Sequence, residues 1–285
     1  MGSSFVAGKI LLATIPPIPL VGWRFVLAAA ALLPLAWRAG LGVPREAWPG
    51  VAAVGLLQTA SLMGLLFVAM RYVSAATASI LLFTAPIWVA LLARVFLGER
   101  LGAGRVAGLL LGVAGVALAV GVRDEAGSLT GSLLALGSAW SFAGATIVAK
   151  RMAAKVPSWT LTFWQMLVGS AALLALAEAL GERWPDGVTA AEWGWFVWLA
   201  IPASSGSFGL WFLALQWGGA ARTSAFLFLA PLFTVVLSAA ILGERLGPAR
   251  LVGGLLVGAA IWLVNRRDEP LTAEVARGWI GRGRR

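Results

Sequence analysis

The sequence predicts an all-α integral membrane protein of ten transmembrane helices arranged as two inverted five-helix repeats. Three observations carry this prediction. Hydrophobic residues make up 60% of the 285-residue chain and charged residues 12%, against roughly 50% and 25% in a soluble domain. The apolar residues fall in blocks of about 17 to 23 separated by short connections, close to the roughly 20 residues that cross the hydrocarbon, and no room remains for a soluble domain. Residues 76–105 and 221–250 match at a fixed offset of 145, which pairs Pro86 with Pro231, Gly98-Glu99-Arg100-Leu101-Gly102 with Gly243-Glu244-Arg245-Leu246-Gly247, and Arg105 with Arg250. Each half then holds an odd number of spans, so the halves lie in opposite senses in the bilayer, an organisation typical of transporters.

The expected spans are 3–18, 20–37, 48–70, 75–97, 103–122, 131–150, 159–180, 192–215, 221–243 and 249–265. They group into a first repeat over 1–122, a second over 131–265, and a polar, basic tail over 266–285. The first span is short and begins almost at Met1. It lacks a basic leader and a small-residue cleavage site, so it reads as a helix rather than a signal peptide. Lys9 lies within it, and an ionisable residue in a span is either a functional group or a side chain snorkelling to the interface. A cavity role for Lys9 would favour a substrate carboxylate. In the second span Pro34 stands near the helix end, where it needs no special role.

In the third span Gln58 and Ser61 share a face, as do Thr77 and Thr84 in the fourth. Pro86 and Pro231 fall near the middle of spans four and nine. A mid-helix proline removes a donor and leaves a carbonyl poorly satisfied, which in lipid must face protein or water. Its matching position in both halves favours a hinge or cavity lining over packing. Gly104, Gly108 and Gly112 on the fifth span, and Gly254 and Gly258 on the tenth, recur every four residues, a spacing that lets backbones approach closely.

Span six offers Trp140 and Ser141, span seven Trp164 and Gln165, and span eight Pro202, Ser204, Ser205, Ser207, Phe208, Trp211 and Gln216. A hydroxyl can satisfy itself on the preceding turn; a glutamine amide needs partners on another helix or in water. Most of the 15 tryptophans read as interfacial anchors. Glu99 and Glu244 sit beside arginines at helix ends in connections of opposite sidedness, where they can cap, pair, or close two entrances in turn.

With both termini cytoplasmic, 15 basic residues fall inside and six (Arg24, Arg71, Arg123, Arg183, Arg245 and Arg250) outside. The net charge of +10 therefore belongs to orientation and anionic lipid, and without a soluble basic face no nucleic-acid partner is expected. The chain contains no cysteine and no histidine, which removes thiolate chemistry, the commonest metal ligand and the commonest general base. No metal, cofactor or enzymatic activity is expected.

Ten spans in a tandem repeat of five, the pairs Ala85-Pro86 and Ala230-Pro231 ahead of a Gly-Glu-Arg, and a glycine-rich helix closing each half resemble the drug/metabolite transporter superfamily, specifically its EamA-type exporters. The likeness extends over nearly the whole chain and includes the superfamily's bacterial amino-acid exporters. It implies a basket-like fold in which spans three, four, eight and nine surround a central cavity joined by one and six, with five and ten behind. It also implies outward movement of amino acids or related metabolites across the inner membrane. One departure stands at the start, where relatives carry a Trp-Gly pair and further apolar residues ahead of Ser3-Ser4-Phe5.

The expected mechanism is alternating access around a largely uncharged cavity, with Lys9, Gln58, Ser61, Thr77, Thr84, Trp140, Trp164, Ser207, Phe208 and Trp211 as its candidate lining. Pro86, Glu99, Pro231 and Glu244 are the candidate hinges and gates. The small-molecule partners expected are amino acids; drugs, nucleosides or other metabolites, or a passive facilitator, are the alternatives. A self-contained two-half design makes a monomer sufficient.

Overall fold

The computed structural model describes residues 2–73, 75–120, 128–230 and 248–265. Pro231 and Glu244 lie outside the described residues, as does the tail. Every regular element among the described residues is helical. In chain order these are α1 (Gly2–Leu11), α2 (Pro17–Ala39), α3 (Arg45–Ala69), α4 in two pieces (Ala75–Leu82 and Ala85–Leu97), α5 (Ala103–Val120), α6 (Leu129–Met152), α7 (Ser158–Leu180), α8 (Ala190–Trp217), α9 (Ala220–Ala225, continued by a 3-10 turn at Phe226–Phe228) and α10 (Pro248–Asn265). Six of them, α2, α3, α4, α6, α7 and α8, are long and apolar enough to cross a membrane; the apolar stretches Ala103–Leu118 and Val252–Asn265 are shorter.

The first two helices differ from the expectation. Helix α1 ends at Leu11 rather than residue 18, and α2 begins at Pro17 rather than residue 20. Pro16 and Pro17 explain the shift, because proline cannot continue a helix but suits its first turn, where no donor is required. Pro16 is extended at φ −58°, ψ 146°, and α2 starts directly after it.

Two helices widen locally into π geometry, Gly55–Ser61 in α3 and Ile201–Gly206 in α8. The second stands 145 residues after positions 56–61, at the same offset as the sequence repeat. In α8 the cause is Pro202, which has no N–H to continue the ladder. In α3, Gly55 and Gly169 bring α3 and α7 into close approach: a Cβ on Gly55 would stand 2.8 Å from the Gln165 carbonyl oxygen, and one on Gly169 2.3 Å from Thr59 Cβ.

Around this centre α2 packs along α7 and α4 against α6, where the Trp88 and Trp140 rings stack at 4.4 Å. Helices α5 and α10 run antiparallel as a separate pair, Gly108 against Ala260 and Gly115 against Gly253. Gly112 seats the Phe228 ring. Gly104 and Gly258 do not take part in close packing, since a Cβ at either would meet nothing within 4 Å; Gly254 is half-buried. Gly108 and Gly112, four apart, meet Ala260 and Phe228 respectively, while the register of α5 with α10 runs through Gly253 and Ala260. Large apolar side chains such as Trp37, Leu129, Trp217 and Leu255 are at least 70% exposed. Apolar side chains outside a packed interior are what a lipid-facing surface requires.

Candidate functional site

Helix α4 breaks where the site begins. Its first piece ends at Leu82, Phe83 and Thr84 turn, and Pro86 enters the first turn of the second piece. Pro86 has no N–H for the Leu82 carbonyl. Thr84 fastens the break on both sides, its Oγ1 donating to the Leu81 carbonyl at 2.6 Å and accepting from Trp88 Nε1 at 3.2 Å.

Beside this break lies an apolar cavity with about 50 Å³ of free volume. It is walled by Leu62, Leu66 and Phe67 of α3, Phe83 of the break, Phe142 of α6, Phe208 of α8 and Leu227 of α9, with Ser4 and Phe5 of α1 at its edge. Both parts of the chain contribute. Among the described lining residues a single side chain is charged, Arg24 of α2.

Arg24 is only 1% exposed. Its Nε donates to Ser204 Oγ at 2.7 Å, and Ser204 in turn donates to the Leu199 carbonyl. The guanidinium carbon lies 5.0 Å from the Phe25 ring centroid and 5.5 Å from that of Phe67. Nη1 is buried and has no hydrogen-bond partner among the described residues. The sequence reading puts Arg24 in an outer connection; the structure puts it inside α2, which removes one residue from the outer side of the charge count. The signal was present, because Arg24 falls within the drawn span 20–37 and the rule applied to Lys9 covers it equally. The cavity accordingly holds a charged side chain, Arg24, within a lining expected to be largely uncharged apart from Lys9.

Of the other expected residues, Phe208 lines the cavity. Gln58 lies one turn before Leu62, fully buried, with no hydrogen-bond partner for either amide atom among the described residues. Trp211 lies one turn beyond Phe208, its ring 5.2 Å from that of Phe142 and its Nε1 buried without a partner among the described residues. Ser61 exchanges a hydrogen bond of 2.7 Å with Ser141, joining α3 to α6. Thr59 donates to Gln165 Oε1 at 2.7 Å, joining α3 to α7. Thr77 and Ser207 are half-buried outside the lining.

Three candidates stand elsewhere. Trp140 is 49% exposed on the stack with Trp88. Trp164 donates Nε1 to the Leu41 carbonyl at 2.9 Å and packs edge-on to Trp48. Lys9 is exposed, and its Nζ donates to the Met70 carbonyl at the end of α3 at 3.2 Å.

At the far end of α4 the two parts of the chain are tied together. Gly98 takes a left-handed conformation, φ +69°, and ends the helix. Glu99 then reaches across to the first turn of α9, Oε1 accepting the Ala220 N–H at 2.7 Å and Oε2 the Ala221 N–H at 3.2 Å. Two donors left open at a helix start meet a carboxylate, and the helix dipole favours its charge there. Nearby, Lys150 Nζ donates to the carbonyls of Leu215, Gln216 and Gly218. Arg151 Nη2 donates to the Phe96 carbonyl at 2.8 Å. Among the described residues no group of three His, Cys, Asp or Glu could hold a metal ion.

Long apolar helices, exposed tryptophans and an apolar cavity between helices define a multi-pass membrane protein. A family model for the EamA-like transporter family matches residues 1–121 and again 129–266. The chain belongs to that family. It is similar to an uncharacterized transporter, YvbV, of Bacillus subtilis, 29% identical over 94% of this chain and 88% of that protein. It is also similar to a probable terminal-alkyne amino-acid exporter of Streptantibioticus cattleyicolor, 30% identical over 86% of this chain and 82% of the other. A solved crystal structure shares the fold with a TM-score of 0.75 at 22% identity, covering 92% of this chain and 94% of its own.

Proposed function

We propose that the protein exports amino acids and related small metabolites across the inner membrane by alternating access. The observation that carries this reading is the cavity between α1, α2, α3, α4, α6, α8 and α9, with the Glu99 contact to α9 tying the two parts of the chain at one end. A transported molecule needs a compartment that one set of contacts seals while another opens. Cavity lining from both parts, with a break and two π segments beside it, supplies the compartment and the places where helices can bend.

Ten spans in two inverted repeats suit this mechanism. Support comes from the sequence repeat, the π segments at the same offset of 145, and the family model's two matches. Counting basic residues, with Arg24 taken out of the outer set, still favours both termini inside. The Glu99 contact then lies at the cytoplasmic entrance, with Glu244 as the opposite gate residue and Pro86 and Pro231 as hinges. Gln58 and Trp211, one turn below the cavity, are the polar groups a substrate would meet on its way through. One copy of the chain contains the whole path, so a monomer suffices. Amino acids are favoured as the substrate by the exporter of Streptantibioticus cattleyicolor, whose name specifies an amino acid.

The test is uptake of labelled amino acids into liposomes holding the purified protein, with unlabelled competitors and with or without a pH gradient. Saturable, competed uptake supports the reading, and its response to the gradient decides coupling. Linear, uncompeted flux would instead indicate a passive facilitator. Absence of uptake for every amino acid would redirect the search to drugs, nucleosides or other metabolites.

A further inference from the structure

We propose that Arg24 forms an anion subsite in the cavity, one that takes the carboxylate of a small acid or amino acid with an apolar body. This deepens the export reading and rests on it for the cavity's role. Arg24 lies seven residues into α2, about 10 Å along the helix, and remains charged at neutral pH. A guanidinium at such depth is costly unless an anion or several dipoles complete it. Here the completion is partial. Ser204 takes Nε, the Phe25 and Phe67 rings flank the group, and Nη1 has no partner among the described residues. The ion pair formed among the described residues joins Arg71 to Glu182 instead.

The unsatisfied side of the guanidinium belongs to a residue of the cavity wall, and the rest of that wall is aliphatic and aromatic. An acid head on Arg24 with an apolar body against Leu66, Phe83 and Phe208 uses both features. A carboxylate suits the planar guanidinium fork. If the ligand also carries an ammonium, the aromatic faces receive it. The free volume of about 50 Å³ corresponds to a few water molecules, so the subsite suits a small acid. A phosphate-rich ligand would need more room and further cations.

Arg24 is also not a repeated packing device. Helices α2 and α7 are both 23 residues long and start directly after an extended proline, Pro16 and Pro157, so Arg24 corresponds to the uncharged Gln165. The cation belongs to one half alone. Ser204 is its positioning residue, since it holds Nε, while Nη1 keeps no partner among the described residues.

The test reads binding rather than transport. Thermal unfolding of the detergent-purified protein is followed against 4-methylpentanoate, against its neutral amide 4-methylpentanamide, and against chloride, in a buffer free of other carboxylates. The acid should raise the melting temperature in a saturable manner, and the amide and chloride should not. Arg24→Gln should abolish the shift, and Arg24→Lys, which keeps charge but loses the fork, should weaken the apparent affinity about tenfold or more. Ser204→Ala should weaken it several-fold and Ser204→Thr restore it. If Arg24→Gln does not fold, the Lys and Ser204 variants decide the matter. Equal shifts with acid and amide, equal shifts with acid and chloride, or full acid response in the Arg24 and Ser204 variants would overturn the subsite. An acid-specific shift in a protein that transports no amino acid would overturn the export reading and leave the subsite standing.

Discussion

The carboxylate of Glu99 sits on the open end of α9, with Oε1 2.7 Å from the Ala220 nitrogen, and so joins residues 121 positions apart. This contact explains why Gly98 precedes Glu99: the left-handed glycine stops α4 and turns the next side chain outward. Glu99→Ala should cost the joined arrangement about 1 to 2 kcal/mol, which is roughly a 5- to 30-fold change in population. The chain has no native cysteine, so Leu227→Cys in the cavity wall offers a unique thiol. Its labelling by a membrane-impermeant maleimide should rise at least several-fold when Glu99→Ala is added. Unchanged labelling would mean the contact does not hold an entrance shut.

Gln58 carries two buried amide atoms with no hydrogen-bond partner among the described residues. A buried unsatisfied group costs about 1 to 3 kcal/mol, so a structural role would be expensive. Gln58→Leu should leave the melting temperature unchanged or raise it while lowering transport. Loss of stability in that variant would show that the amide is satisfied and serves packing. Trp211→Phe, which deletes an equally unpartnered N–H, should behave alike.

The glycines predict opposite outcomes at two positions. At Gly169 a Cβ would meet Thr59 Cβ at 2.3 Å and the Gly55 carbonyl oxygen at 2.5 Å. Gly169→Ala must move a backbone and should destabilise by about 1 to 3 kcal/mol. Gly258 faces open space, and Gly258→Ala should be neutral or gain up to about 1 kcal/mol from helix propensity. Thermal unfolding of the two variants side by side checks both. Similar losses in each would refute the α3–α7 register.

Lys9 and Arg24 make a further contrast. The Lys9 ammonium is exposed and spent on the Met70 carbonyl. Lys9→Met should change the affinity for the acid probe less than twofold. A loss as large as that of Arg24→Lys would bring Lys9 back to the cavity.

The helical, membrane-embedded character was legible in the apolar blocks, because lipid demands long uninterrupted runs from each crossing helix. The break at Pro86 was legible too, since proline acts on its own backbone. The boundary near Pro17 was misplaced by three residues, as apolar residues on both sides hid the helix start. Site residues were harder. Ser61 and Ser141 satisfy each other across helices, and Thr59 takes the Oε1 of Gln165, whose Nε2 keeps no partner among the described residues; a sequence cannot say which hydroxyl faces a partner and which a void. Trp140 and Trp164 were drawn in by residue type but serve helix contacts. Arg24 was counted as a surface charge because it stands near the start of its span, although that depth was already inside the helix.

The lone guanidinium has a directional consequence. A structure made of two related halves would ordinarily greet a ligand alike from either end, yet Arg24 is matched by the uncharged Gln165. An acid held by Arg24 therefore has a fixed heading, its polar head toward α2 and its apolar tail toward α4 and α8. Passing through without turning round, such a molecule leads with one end on arrival and trails with that end on departure. Entry and exit are then unlike events, and the two faces of the membrane meet opposite ends of the cargo.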